Sequence, residues 1–149
     1  MRVVVQRVTR ASVSIDGAVV GQIEAGAVVL AGIGAHDTPA IIDRMADKLI
    51  GLRYFEDADG RTNLAIAEVG GSLLVVSQFT LLADVRRGRR PGFTAAALPE
   101  LAAPLIDRFV MRLRSSVPVE TGRFGADMAV ELVNDGPFTL VLDSERDLA

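Results

Sequence analysis

The 149-residue sequence contains no cysteine, which excludes disulfides, thiolate metal ligands and a cysteine nucleophile and fits a reducing compartment. Histidine is nearly absent as well, with His36 the only one. Zinc sites usually draw on several His or Cys ligands, and a Ser-His-Asp triad needs its imidazole beside the serine. His36 stands in Gly34-Ala35-His36-Asp37-Thr38-Pro39, a loop entering a helix, where a solvated side chain is expected. No run approaches the roughly eighteen apolar residues that cross a bilayer. Polar residues interrupt the apolar stretch of Met1-Arg2-Val3-Val4-Val5-Gln6-Arg7 that a signal peptide would need, so a cytoplasmic protein without a membrane partner is expected. Phosphate-binding glycine loops are missing: Gly32-Ile33-Gly34 lacks a third glycine, and neither Gly-Lys-Ser nor Gly-Lys-Thr occurs. The Gly-x-Ser-x-Gly nucleophile elbow is missing too. A formal net charge of -3 argues against an overall basic coat for nucleic acid, yet Arg86-Arg87-Gly88-Arg89-Arg90 concentrates four of the sixteen basic residues, so any such contact should be local.

Half of the residues are apolar, and the length suits one compact domain spanning 1–149. Val3, Val5 and Val8, then Ala11 to Ile15, Ala18 to Ile23 and Ala27 to Ile33 read as strands. Asp16-Gly17 between two of them signals a tight hairpin, because a primed turn requires positive φ at both central residues. The 27–33 run is apolar throughout and reads as a central strand covered on both faces. Asp37-Thr38-Pro39 carries helix-start chemistry, followed by Ile41, Ile42, Met45, Leu49 and Leu52 at helical spacing. A short strand at 52–55 precedes the turn Glu56-Asp57-Ala58-Asp59-Gly60. Asp57, Asp59, Asn63 and Glu68 fall at four ligand positions of a calcium loop, but Thr62 replaces its glycine and the preceding segment is no helix, which favours an acidic turn. Ser72 to Leu81 reads as an apolar strand ending in the polar cluster Ser77-Gln78-Phe79-Thr80. Pro99 opens a second helix, with Leu101, Leu105, Ile106, Phe109, Val110 and Leu113 on its buried stripe. Three closing strands are expected at Val117–Glu120, Ala129–Val133 and Phe138–Leu142, the last two separated by a turn at Asn134-Asp135-Gly136-Pro137.

Taken alone, Ser77 to Thr80 would be a hydroxyl-capped strand end and Gly136-Pro137 a plain turn. Together they resemble more than that. Ser77-Gln78-Phe79-Thr80-Leu81 and Asn134-Asp135-Gly136-Pro137 are similar to the two signatures of the D-aminoacyl-tRNA deacylase family. Arg7-Val8-Thr9-Arg10-Ala11-Ser12-Val13 and Glu120-Thr121-Gly122-Arg123-Phe124-Gly125-Ala126-Asp127-Met128 also resemble that family, so the likeness runs in order along essentially the whole chain. The chain departs from the usual family pattern at Gly92, Thr62 and Phe138, outside both signatures.

The resemblance implies an α/β single-domain fold of three layers, α/β/β, with mostly antiparallel sheets and two main helices. It implies a homodimer whose partner is D-aminoacyl-tRNA, with no cofactor, metal or DNA. Gly136-Pro137, with a cis bond, would reach from one subunit into the other's pocket at Ser77, Gln78, Phe79 and Thr80. There its carbonyls would hold the substrate's α-amino group and leave room only for a D side chain. Steric exclusion of this kind cannot reject glycine, so glycyl-tRNA, as when tRNA-Ala is mischarged, is an expected second substrate. By analogy the backbone N–H of Phe79 stabilises the oxyanion, while Phe124 and Met128 line the pocket or pack in the core. No base is evident in the first signature, so the terminal ribose hydroxyl is favoured to orient or activate the water, over Thr80 acting as a nucleophile. Arg86, Arg87, Arg89 and Arg90 would hold tRNA phosphates. The rival readings are a non-catalytic tRNA-binding module and a general small-ester hydrolase.

Overall fold

The computed structural model describes residues 1–148; Ala149, the last residue of the expected domain span, lies outside the described residues. Its framework is a sheet in which one long strand serves three neighbours. β1 (Arg2–Ile15) pairs antiparallel with β3 (Gly26–Gly32) through its first half. Its second half pairs with β2 (Ala18–Ile23) across the Asp16-Gly17 hairpin, whose φ angles of 50° and 79° are those the primed turn demands. The two strands expected at 3–8 and 11–15 are thus one. Register irregularities against β8 (Ala129–Asp143) fall between Gln6 and Arg10. Bulges there let the strand bend and change which side chains face which layer. Val3 and Val5 join the core under the helices, whereas Val8, Ala11 and Val13 join a second core.

Beyond β3 the sheet continues in parallel through β6 (Ser72–Ser77) and β7 (Val119–Thr121). Parallel neighbours need crossovers. The connection from β3 to β6 carries α1 (Pro39–Gly51), and that from β6 to β7 carries α2 (Pro99–Arg114). A small hairpin of β4 (Arg53–Glu56) and β5 (Thr62–Ala65) lies between α1 and β6. Period-two alternation sorts the central strands: Ala27, Val29, Ala31, Leu73 and Val75 face the helices, and Val28, Leu74 and Val76 face the second core. Two cores on opposite faces of the central strands make the three layers expected, and the pairing is mostly antiparallel as expected, with the β3–β6 and β6–β7 pairs parallel.

Thr38 caps α1, its hydroxyl oxygen accepting from the Ile41 N–H, and Pro39 occupies the first helical position. Ile42, Met45, Ala46 and Leu49 are buried, and Leu52 falls just past the helix end. On α2 the buried stripe runs Leu105, Ile106, Phe109, Val110 and Leu113, but Leu101 is 41% exposed and belongs to the surface. Asp43 pairs with Arg108 and Asp47 with Arg112, tying the outer faces of the two helices. In the acidic turn, Asp57 accepts from the N–H groups of Asp59 and Arg61 and from the Asn63 amide.

Two expectations near the signatures change. The strand expected to run to Leu81 stops at Ser77, and a 3-10 turn (Phe79–Leu82) follows. Asn134 to Pro137 does not separate two strands: β8 is one element from Ala129 to Asp143. Gln6 pairs with Thr139 and Val8 with Asn134, so four β8 residues, Asp135 to Phe138, stand opposite Arg7 alone and loop out. Local turn chemistry was visible in the sequence; the long partner strand that holds both flanks in one ladder was not.

Candidate active site

The strand-to-turn corner after β6 positions the first signature. Gln78 N–H donates to Ala31 O at 2.8 Å and Leu81 N–H to Gln78 O at 3.3 Å, which leaves the N–H groups of Phe79 and Thr80 at the open end of a 3-10 turn. Close approach of this corner to β3 depends on Gly32, where an added Cβ would lie 2.7 Å from Gln78 O and 2.6 Å from Leu82 Cδ2. Arg2 Nη1 donates to Leu81 O at 3.1 Å and braces the same turn. The Gln78 amide donates to Thr80 Oγ1, so the threonine hydroxyl faces a hydrogen-bond donor rather than a base.

A cavity of about 610 Å³ opens beside the corner. Ser77, Gln78 and Phe79 form one wall; Phe124 and Met128, at the family-like block, form another. Its third wall was not legible in the sequence: the segment from Phe93 to Pro99 is pinned to the end of β3 by Ala97 N–H donating to Ile33 O at 2.9 Å and Ala35 N–H donating to Ala95 O at 3.0 Å. Phe93 meets Phe79 edge to face at 5.1 Å, and Phe79 is 56% exposed. The lining is mainly apolar with a few convergent polar groups, the usual character of a small-molecule site. Among the described residues Asp127 supplies its only ionisable side chain. Thr80 lies beside the cavity wall without being part of the lining.

The second signature is held elsewhere in the same chain. Gly136-Pro137 is cis, as expected, and neither residue lines the cavity that holds Ser77 to Phe79. Its anchor is Arg7, whose side chain is only 6% exposed. Arg7 donates from Nη1 to Tyr54 O at 2.7 Å and from Nε to Asp135 O at 3.2 Å, and its guanidinium carbon lies 4.8 Å from the Phe138 ring centroid. Asp135 adds an ion pair at 3.4 Å. The sequence displayed Arg7 as part of a family-like block, but its role depends on a partner 128 positions away. Phe138 packs between Arg7 and Tyr54.

Of the four clustered arginines, Arg86 is held by Asp84 through two side-chain hydrogen bonds of 2.9 and 2.7 Å, which keep the Asp84 carboxyl well below the usual carboxylate range. Arg87, Arg89 and Arg90 are exposed on a loop closed by mutual backbone bonds between Asp84 and Gly92. His36 is exposed, as its loop position suggested. No helix among the described residues is long and apolar enough to cross a membrane.

Residues 4–143 match the family model described as D-Tyr-tRNA(Tyr) deacylase. The D-aminoacyl-tRNA deacylase of Symbiobacterium thermophilum is 58% identical over 147 residues, covering 98% of this chain and 97% of that protein. Among solved structures, the c-Myc DNA unwinding element binding protein superposes with a TM-score of 0.91 at 39% identity, covering 96% of this chain and 98% of that one. A probable eukaryotic D-amino acid tRNA deacylase superposes with a TM-score of 0.83 at 18% identity over 95% of this chain and 97% of that one, which supports the fold alone.

Proposed function

The chain belongs to the D-Tyr-tRNA(Tyr) deacylase family and is an ester hydrolase acting on D-aminoacyl-tRNA, and we propose that it selects its substrate by shape at the cavity beside Ser77 to Thr80. The observation that carries this reading is the corner itself, where Phe79 lines a cavity of about 610 Å³, large enough for an aminoacylated adenosine, at the open N–H end of a 3-10 turn. Ester hydrolysis passes through a tetrahedral oxyanion, and a preorganised N–H donor aimed at that oxygen lowers the barrier by about 3–4 kcal/mol. Phe79 N–H is that donor. Phe124 and Met128 wall the terminal adenosine.

The chain acts as a homodimer in the cytoplasm, where charged tRNAs are. Gly136-Pro137 of the partner subunit closes the cavity, and its carbonyl oxygens accept from the substrate α-ammonium. With the ammonium held and the ester carbonyl at Phe79, a D side chain points outward and an L side chain runs into main chain. The outward looping of Asp135 to Phe138 from the β1–β8 ladder supports a reaching role, because it frees main-chain groups that a regular strand would pair. No step grips the side chain, so different D-aminoacyl esters are cleaved at comparable rates, and glycyl-tRNA, including glycine mischarged on tRNA-Ala, is cleaved as well.

The attacking water is oriented by the free ribose hydroxyl of the terminal adenosine. Thr80 is not the nucleophile: its oxygen receives the Gln78 amide hydrogen, and a nucleophilic hydroxyl needs an adjacent base. Thr80→Ala therefore keeps substantial activity. Arg87, Arg89 and Arg90 contact acceptor-stem phosphates, with Arg86 serving the loop through Asp84. The deciding experiment charges one tRNA with D-tyrosine, L-tyrosine or glycine and measures deacylation by the purified protein. Cleavage of the D-tyrosyl and glycyl esters with sparing of the L-tyrosyl ester supports the reading, and equal cleavage of both enantiomers refutes it.

A further inference from the structure

A second groove adjoins the cavity. It encloses about 340 Å³ between α2 and β7 and shares Ser77, Ile106 and Phe124 with the first cavity, so the two form a continuous depression in which Phe124 stands at the junction. Beyond Phe124 the character of the lining changes, because Arg114 and Arg123 now contribute to it. The neighbouring arginines of α2, Arg108 and Arg112, are each paired with a carboxylate on α1. Neither Arg114 nor Arg123 has a carboxylate within ion-pairing distance among the described residues. Arg114 is held in place by donating from Nε and Nη2 to Val119 O at 3.3 and 3.2 Å, which leaves Nη1 for a ligand. Phe124 is 40% exposed and Met111 71% exposed, so the groove also offers apolar surface for the face of a base.

We propose that this groove is a subsite for the penultimate nucleotide of the tRNA, with its base against Phe124 and Met111 and the phosphate that links it to the terminal adenosine on Arg123 and Arg114. This rests on the reading of the larger cavity as the aminoacyl-adenosine site. A single strand leaving that site must continue along the surface, and the groove supplies the two features that such strands use, an aromatic face and an unpaired cation. Guanidinium groups suit phosphate because their planar donors match its oxygens. Asp107, also in the lining, lies on the α2 side and disfavours a second phosphate there, which limits the subsite to one nucleotide.

Three substrates test it: D-tyrosyl-adenosine, which has no phosphate; the D-tyrosyl ester of the dinucleotide cytidylyl-adenosine; and D-tyrosyl-tRNA. The wild-type protein should cleave the dinucleotide ester with a KM several-fold below that of the nucleoside ester. Arg123→Ala should abolish that gain and raise KM for D-tyrosyl-tRNA about tenfold with kcat unchanged, while the slope of log(kcat/KM) against log salt falls by about 0.7. D-tyrosyl-adenosine cleavage by the variant should equal that of the wild type, and Arg123→Lys should recover most of the tRNA affinity. Equal losses on all three substrates would show a structural role and overturn the proposal, as would an unchanged KM and salt slope with D-tyrosyl-tRNA. If the wild-type protein cleaves none of the three, the reading of the larger cavity fails first, which is a different result from either.

Discussion

Replacing Arg7 with methionine keeps most of the apolar stem and removes the charged fork that secures the looped segment of β8. The guanidinium donates to Tyr54 O at 2.7 Å and to Asp135 O at 3.2 Å, and the side chain is only 6% exposed, so water cannot readily take its place. A hydrogen bond from a charged group contributes roughly 1.5–3 kcal/mol. The lost contact with the Phe138 ring adds roughly 0.5–2 kcal/mol. Relief from burying the charge offsets part of this, because an apolar replacement needs no desolvation of a cation. The expected net destabilisation is about 2–4 kcal/mol. For a chain near 150 residues that lowers Tm by about 5–15 °C. Urea and thermal melts followed by circular dichroism, at one fixed protein concentration because the folded state is read as dimeric, measure it directly. The same variant should cleave L-tyrosyl-tRNA at a rate nearer to its D-tyrosyl rate, because the loop proposed to select between enantiomers has lost its anchor. An unchanged melting profile together with an unchanged D-to-L ratio would refute the reasoning, since it would mean that the loop holds itself without Arg7.

Gly32→Ala drives a methyl group against Gln78 O and Leu82; it should cost about 1–3 kcal/mol in a urea melt and lower kcat for D-tyrosyl-tRNA by about tenfold or more by shifting the Phe79 N–H. Normal kcat in that variant would show that the corner tolerates displacement. Tyr54 is 2% exposed and its hydroxyl has no partner among the described residues, with burial pushing its pKa up, so Tyr54→Phe should be as stable as the wild type or up to about 1 kcal/mol more stable by urea titration. A clear loss of stability would reveal a hydrogen bond to that hydroxyl in solution. Hydrogen bonds from Arg108 and Arg112 hold the Asp43 and Asp47 carboxyls below 3.8, and Arg146 holds Asp147 at about 2. Folded-state values below the unfolded ones mean stability that is complete above about pH 5 and is lost as the pH falls toward about 2. The double variant Arg108→Gln/Arg112→Gln should therefore show a shallower fall in urea midpoint across that window than the wild type, and parallel curves would contradict the assignment.

Much of this molecule follows from short-range pattern. Both main helices, the Asp16-Gly17 hairpin and the doubly covered strand at 26–32 are encoded by side-chain period and turn chemistry within a dozen residues, and those signals survive whatever surrounds them. The two signatures were equally plain as strings of residues. Their surroundings were not. Whether Asn134 to Pro137 ends a strand or loops out of one depends on β1, which pairs with residues on both sides of it across more than 120 positions of sequence. Arg7 becomes an anchor only when that pairing brings Asp135 and Tyr54 to it, and the wall from Phe93 to Pro99 exists only because β3 ends beside it. The sequence by itself determined the two main helices, the first hairpin, the central strand and which segments hold polar groups suited to chemistry. Tertiary structure alone decided which of those segments share a cavity, because contacts between distant parts of the chain are selected by the joint packing of two cores and leave no periodic mark on either partner.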